Sequence, residues 1–391
     1  MIEFVTPMLR NYRLELFERL QRQYRIKFIF TGYTDTEEFG ALEIPKSWTY
    51  KKINNPHFLR SGSKFLSKKS LINSLVLTKA LLRDNYELIL SSPAEMDYNL
   101  LALIIAKLRF KKIIFWGEAW YWPSSSVRAK IFYHVISKWI LGQGDAIVAM
   151  GAKQHGFYMK ALKKKSGIFF APKYVVSYKK RDAAKFIDSL ALEDNKILDK
   201  KIILYMAQLI ERKGLDYLIR AFRLLEDKFD NIYLLIVGSG PFKEYCEKLA
   251  KELGVKNIMF KKYVTESEYE LFEQYHNAGD VMVLPSIFLD DYPEPNGYVL
   301  YESMSVGKPL VVTNAVGAVP ELVRDGVNGF VVKERNVTEL ADALSKLLSD
   351  EKLRKKMGDK SKEIFDEKIS LDGQVEAFKT AIDFVRKQTK C

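Results

Sequence analysis

Short apolar runs recur along the chain, separated by stretches whose apolar residues return every three or four positions. Met1 to Thr6 reads as a strand, Tyr12 to Gln23 as an amphipathic helix and Ile26 to Phe30 as a second strand. Further strand-like runs stand at Glu87 to Leu90, Lys112 to Trp116, Asp145 to Ala149 and Gly167 to Ala171, with helical stretches between most of them. Alternation of this kind predicts a parallel sheet covered by helices on both faces. A polar stretch rich in Lys and Asp then breaks the pattern, and residues 181–200 are read as a linker.

The pattern restarts at Lys201 to Met206 and continues through Asp216 to Leu225, Ile232 to Gly238, Phe242 to Leu253, Asn257 to Phe260, Glu266 to Tyr275 and Val281 to Leu284. Two doubly wound α/β domains are therefore expected, a first over residues 1–180 and a second over 201–368. In the final segment, 369–391, Val375, Phe378, Ala381 and Val385 share one face of a helix expected to pack back on the first domain. Two such domains imply a cleft between them, where ligands usually bind.

Composition narrows the class. The chain has 391 residues, 48% of them hydrophobic and 28% charged, as in a globular protein of two or three domains. No apolar run reaches the roughly 18 residues that cross a bilayer. The start reads directly as a strand rather than as an export signal. Cys246 and Cys391 are far apart, so neither a disulfide framework nor a zinc knuckle is indicated, and a reducing, cytoplasmic location is expected. The net charge of +13 is lopsided: residues 1–180 hold 30 Lys and Arg against 13 Asp and Glu, the remainder 32 against 36. A basic half can face nucleic acid, an anionic membrane or an anionic substrate, or be a solvated lysine-rich surface.

The densest chemistry lies in Pro293-Glu294-Pro295-Asn296-Gly297-Tyr298-Val299-Leu300-Tyr301-Glu302. Two carboxylates bracket a turn that opens a short helix, and a β-branched strand, Pro309 to Thr313, follows. The first amides of a helix have no internal partner and carry the positive end of its dipole, so Gly297, Tyr298 and Val299 can address a phosphate. Carboxylates repel phosphate but accept from the hydroxyls flanking it. Lys213 stands at the mouth of the loop between the Lys201 strand and its helix, a point charge suited to phosphate, though a solvated lysine is the plainer alternative. Gly238-Ser239-Gly240-Pro241 occupies the same strand-to-helix position after Ile232 to Gly238, as a phosphate loop or merely a tight turn. Pro285-Ser286 follows the Val281 strand.

The order Lys213-Gly214, Gly238-Ser239-Gly240-Pro241, Pro285-Ser286, Glu294 with seven residues to Glu302, then Ser303 to Pro309 resembles the retaining glycosyltransferases of family 4, which have the GT-B fold. The resemblance is strong from about Ile202 to Val332. It implies two Rossmann-like domains facing a central cleft, a nucleoside diphosphate sugar as donor substrate with no further cofactor, and no bound metal, since Asp290-Asp291 form no Asp-x-Asp cluster. It implies that Glu302 holds ribose hydroxyls and Glu294 the donor sugar, and that Asn296, Gly297 and Tyr298 contact the sugar and distal phosphate. Lys213 would neutralise the diphosphate, and Tyr263 and Val264 would cradle the base. Gln208 stands where relatives commonly carry a cationic Arg, so Arg212 becomes a candidate to compensate. Glu118 stands where many relatives place a His.

In the first half, Arg10 and Arg13 follow the first strand at the edge expected to face the cleft, and His155 follows Asp145 to Ala149. Arg10 and Arg13 are candidates for an anionic acceptor or the diphosphate, or plain surface arginines, and His155 is a cleft candidate or a structural residue. Cations interleave with apolar groups at Phe58-Leu59-Arg60, Lys64 to Lys69 and Trp120 to Lys130, which suits an anionic lipid surface or an ordinary amphipathic helix. The expected acceptor is a glycan or a lipid-linked molecule, the expected setting the cytoplasm or the inner face of the cell membrane, with no nucleic-acid partner. A sugar-nucleotide epimerase or hydrolase, a basic nucleic-acid-binding protein and a binding-only relative stand as alternatives. Asn336-Val337-Thr338 is read as a helix cap rather than a glycosylation site.

Overall fold

The computed structural model describes residues 1–6, 9, 11–31, 44–53, 68–91, 98–117, 122, 127, 130–163, 166–262, 268–289, 294 and 296–388. The chain divides into two compact units, Met1–Tyr174 with Ser370–Cys391, and Val175–Ile369.

The first unit is built on strands β1 (Ile2–Thr6), β2 (Ile26–Phe30), β3 (Tyr50–Lys52), β4 (Leu88–Ser91), β5 (Lys112–Gly117), β6 (Ala146–Met150) and β7 (Ile168–Ala171). They form one sheet in the order β3-β2-β1-β4-β5-β6-β7, with Phe4 in register with Phe28 on one side and Leu90 on the other, every pair parallel. Phe4, Phe28 and Trp116 face the helices Asn11–Gln23 and Leu371–Lys387, whose Phe17 and Phe378 complete that core. Val5, Ile89 and Phe115 point the other way, onto helices Lys68–Arg83, Tyr98–Leu108, Lys138–Gly142 and Ala152–Leu162. A π-helix, Lys130–Ser137, runs directly into Lys138–Gly142.

The second unit has strands β8 (Lys201–Met206), β9 (Ile232–Val237), β10 (Ile258–Lys261), β11 (Val281–Leu284), β12 (Leu310–Thr313) and β13 (Gly329–Val332). Their order is β10-β9-β8-β11-β12-β13, again parallel throughout. Every residue of β9 is buried, which is why it reads as an unbroken apolar run rather than an alternating one. Because all six strands run the same way, the loops leaving β8, β9, β11 and β12 emerge along one edge of the sheet.

Strands β3 and β13 and the helix within residues 181–200 were not in the sequence reading. Strand β3 was not anticipated: it is a three-residue edge strand with exposed ends, too polar to give an apolar signal. Residues 181–200, read as a linker, carry helix Ala184–Ala191 and a 3-10 turn at Asn195–Ile197, and both lie within the second unit. Helix Leu371–Lys387 belongs to the first unit, where it packs beside β6, β7 and the first helix. Asn336 caps helix Val337–Ser349, its side chain accepting from the Glu339 amide at 3.0 Å.

Candidate active site

The site is assembled from loops at the C-terminal edge of the second sheet. After β8 the chain passes through Ala207–Ile210 into a 3-10 turn, Glu211–Lys213, that ends at Gly214 with φ +64°. A Cβ on Gly214 would fall 2.0 Å from the Pro285 carbonyl oxygen, so only glycine lets this turn lie against the loop after β11. The two loops are clipped together where the Ile287 amide donates to the Arg212 carbonyl at 2.9 Å. Arg212 and Lys213 therefore project from a braced turn.

Glu294 comes from the opposite side and is equally braced. Its amide donates to the Ala315 carbonyl at 3.0 Å and its carbonyl accepts from the Gly317 amide at 2.8 Å, a single bridge to the loop after β12. The side chain is buried and meets both cations: Oε2 lies 2.6 Å from Lys213 Nζ and 2.5 Å from Arg212 Nη1, while Oε1 accepts from the Gly297 amide at 3.2 Å. Burial alone would raise the carboxyl, but the Lys213 and Arg212 charges beside it outweigh that and hold it down at about 2. Glu294 is an anion across the physiological range. It can accept hydrogen bonds from hydroxyls and has no proton to donate.

Helix Tyr298–Ser305 starts at this point, and its seam with helix Tyr269–Ala278 holds a group that sequence reasoning missed. His276 is fully buried; its Nδ1 lies 2.8 Å from Ser303 Oγ, and its Nε2 lies 3.3 Å from Glu302 Oε2. A carboxylate only accepts, so attraction requires the proton on Nε2, with Ser303 donating to Nδ1. Nε2 is off line and completes no hydrogen bond in this arrangement, so it is a buried donor aimed at Glu302 without another partner. Tyr178 stacks on the imidazole with ring centroids 5.3 Å apart, and its amide donates to Ser305 Oγ, which in turn donates to the Glu302 carbonyl at 2.6 Å. The visible signal was a histidine one residue after Tyr275 on the inward side of an amphipathic helix.

Other candidates fall differently. Gln208 is exposed on the same edge. Gly238 and Gly240 bring the loop after β9 against the loop after β8: a Cβ on either would lie 2.1 or 2.3 Å from the Ala207 or Leu209 carbonyl oxygen. Packing accounts for both glycines. The Gly297 amide, expected to point at a phosphate, is engaged by Glu294 here. Asn296 is buried beside Gly297 and Tyr298 is half-buried at the helix start.

In the first unit, Arg13 is no surface residue: it is buried, with its guanidinium 4.7 Å over the Trp116 ring and 3.4 Å from Thr6 Oγ1. His155 sits in helix Ala152–Leu162, where Nε2 meets the Ile168 carbonyl at 3.3 Å. Arg10, Glu118, Tyr263, Val264, Asp290 and Asp291 lie outside the described residues. Among the described residues, no group of three His, Cys, Asp or Glu side chains is placed to hold a metal ion.

Two Rossmann-like parallel α/β units, the second with its loop site at the carboxyl edge, define the GT-B fold class found in glycosyltransferases. Comparison with known proteins points the same way. Residues 190–364 match the family "Glycosyl transferases group 1". The chain is 32% identical over 205 residues to "Uncharacterized glycosyltransferase MJ1607" of Methanocaldococcus jannaschii, covering 51% of this chain and 49% of that one. It is 33% identical over 165 residues to a "GDP-mannose-dependent alpha-(1-6)-phosphatidylinositol monomannoside mannosyltransferase" of Mycolicibacterium smegmatis, covering 41% and 42%. The matched stretches thus span about half the length of these curated relatives. Among solved structures, Anabaena Alr3699/HepE in complex with UDP-glucose is similar in fold, with a TM-score of 0.72 at 15% identity over 98% of this chain and 100% of that one.

Proposed function

We propose that the chain is a retaining glycosyltransferase of the family 4 type, moving a sugar from a nucleoside diphosphate sugar to a glycan or lipid-linked acceptor. The observation that carries this reading is the Glu294 carboxylate gripped by Lys213, Arg212 and the Gly297 amide. Arg has five donors and Lys three, so both cations can keep Glu294 and still meet diphosphate oxygens. Arg212 then supplies the positive charge that Gln208 lacks. Glu294, fixed as an anion, accepts from hydroxyls of the donor sugar, and Glu302 from those of the ribose.

In the reaction, an acceptor oxygen bonds to the anomeric carbon on the face from which the diphosphate oxygen departs. The departing phosphate takes the acceptor proton. Lys213 and Arg212 stabilise the charge that builds on the diphosphate without a metal ion, which is where preorganised cations are most effective. A nucleotide-sugar donor fits the ligand of Alr3699/HepE and the name of the mycobacterial relative. A membrane-associated acceptor fits the basic first half.

Thermal shift with UDP-, GDP- and ADP-sugars identifies the base, because a ligand bound only to the folded state raises its stability by mass action. Lys213→Ala and Glu294→Gln are then assayed for transfer with that donor. Unchanged transfer in both variants would sink the assignment.

A further inference from the structure

We infer that the outer helix layer of the first unit is a docking surface for an anionic lipid bilayer. Helices Lys68–Arg83, Tyr98–Leu108 and the continuous Lys130–Ser137 and Lys138–Gly142 lie side by side on one face of the sheet, their inner residues buried together in one core. Their outer sides are unusually apolar. On the first helix, Ile72, Leu75 and Leu82 are exposed, Leu75 by 68%. On the second, Ile104 and Leu108 are exposed, and the turn that ends it leaves Phe110 95% exposed at φ +53°. An aromatic ring wholly in solvent, on a backbone conformation that favours Gly or Asn, gains nothing from the folded chain itself. On the third, Ile131, Val135 and Trp139 follow at intervals of four, which in a wide π turn stacks them into a ridge.

Charge selects the occupant. These helices contain seven Lys and Arg and no Asp or Glu. Lys79, Arg83, Lys107, Lys130 and Lys138 are exposed beside the apolar residues, with no acidic partner among the described residues. The helices on the opposite face of the same sheet differ, since their acids pair with cations, Asp372 with Arg19 and Glu376 with Lys379. Apolar side chains ringed by unpaired cations match the boundary between acyl chains and anionic headgroups. A second copy of the chain is disfavoured, because a two-fold contact would set this positive surface against itself. Nucleic acid would engage the cations but leave the Ile, Leu and Val side chains in water. The surface overlaps the segments around residues 58–69 and 120–130 that the sequence suggested only at the starts of its first and third helices, and extends well beyond them.

The inference rests on the proposed function only for its meaning, delivery of a lipid-linked acceptor; the binding stands on the surface alone. The full chain is sedimented with vesicles of phosphatidylcholine, and of equal parts phosphatidylcholine and phosphatidylglycerol, at low and high salt. Binding is expected with the anionic vesicles and weakened by salt. Brominated lipids are expected to quench Trp139, with Trp139→Phe removing that signal. Leu108→Asp combined with Phe110→Asp is expected to weaken binding about tenfold or more, while the melting temperature and the thermal shift with nucleotide sugars are kept.

No binding to anionic vesicles at low salt would overturn the inference, as would equal binding by the double variant. So would a concentration-dependent dimer that the double variant abolishes, which would make the occupant a second copy. Vesicle binding without a thermal shift by any nucleotide sugar would leave this inference standing and remove the functional one.

Discussion

Two glutamates, one in each unit, are buried to nearly the same degree and held in opposite protonation states. Glu3 in β1 is 0% exposed and Glu294 is 6% exposed. Glu294 has two cations to itself. Glu3 must share one, because Lys27 lies 3.7 Å from Glu3 but is bonded to Asp84. Burial pushes the Glu3 carboxyl up to about 8, a hydrogen bond with Asp84 adds to that, and Lys27 only partly opposes it. Two cations for one acid give an anion; one cation for two acids gives a neutral acid. A group that accepts hydrogen bonds from hydroxyls needs the first arrangement, and the candidate site has it.

The largest effect that tests this contrast is the loss of the Glu294 charge. Glu294→Gln keeps an acceptor for the Gly297 amide but leaves Arg212 and Lys213 facing each other with little solvent, which is expected to cost on the order of 4 kcal/mol. Urea unfolding of the full chain, following the transition of the second unit, measures it. Adding Lys213→Met to Glu294→Gln should recover part of the loss, since the two effects share one interaction. Strict additivity would mean that the ion pair does not stabilise the fold.

Next comes a pair of opposite pH slopes. Glu3 has a folded-state pKa above its unfolded value of 4.5, so its contribution is complete below pH 4.5 and is lost as pH rises through about 8. Glu294 is depressed from 4.5 to about 2, so its contribution is complete above pH 4.5 and is lost as pH falls toward 2. Between pH 5 and pH 8 the Glu3 contribution falls by about 3 kcal/mol. Denaturant midpoints at those two pH values should differ less in Glu3→Gln than in the parent chain. Equal differences in both would mean that Glu3 is ionised in the folded state.

These two carboxylates also show what the sequence could and could not reveal. Most strands were legible because a parallel strand buried on both faces is an uninterrupted apolar run, as in β9; the exposed edge strand β3 was not, nor was the short amphipathic helix Ala184–Ala191, set in a stretch rich in Lys and Asp. Glu294 drew attention because it sits in a loop motif. Lys213 was singled out for its place after a strand, but its contact with Glu294 spans 81 positions and depends on two loops clipped at Ile287 and Ala315. Glu3 passed as one letter of a strand, although an acid inside Ile-Glu-Phe-Val-Thr is itself a signal: with both faces of the sheet covered, no side chain of that strand can reach water.

A third comparison sets Glu302 beside Glu294, since Glu302 faces a single histidine rather than two cations. His276→Ala is expected to free the Glu302 carboxylate and raise KM for the donor about fivefold, with kcat changed less, as removing a ring N–H held 3.3 Å from a carboxylate costs about 1 kcal/mol. Initial rates across donor concentrations provide the split. His276→Gln, which retains a donor, should restore part of the affinity. A fall in kcat alone would show that His276 acts on the fold or the chemistry and not through Glu302.

The smallest expected effect is the sharpest test of the cation count. Lys27→Met removes the one cation from the Glu3 cluster, as Lys213→Met removes one of two from Glu294. Glu3 is already neutral below about pH 8, so it loses little. Asp84, only partly buried, sits below its usual range: burial raises it, and hydrogen bonds from Lys27 and Glu3 outweigh that. Without Lys27 it retains the hydrogen bond from Glu3 and its own partial exposure to solvent. At pH 6 the loss should therefore stay within about 1 kcal/mol, the scale of a partly exposed ion pair. A loss matching that of Lys213→Met would mean that Glu3 carries its charge in the folded chain, and the two glutamates would then be alike.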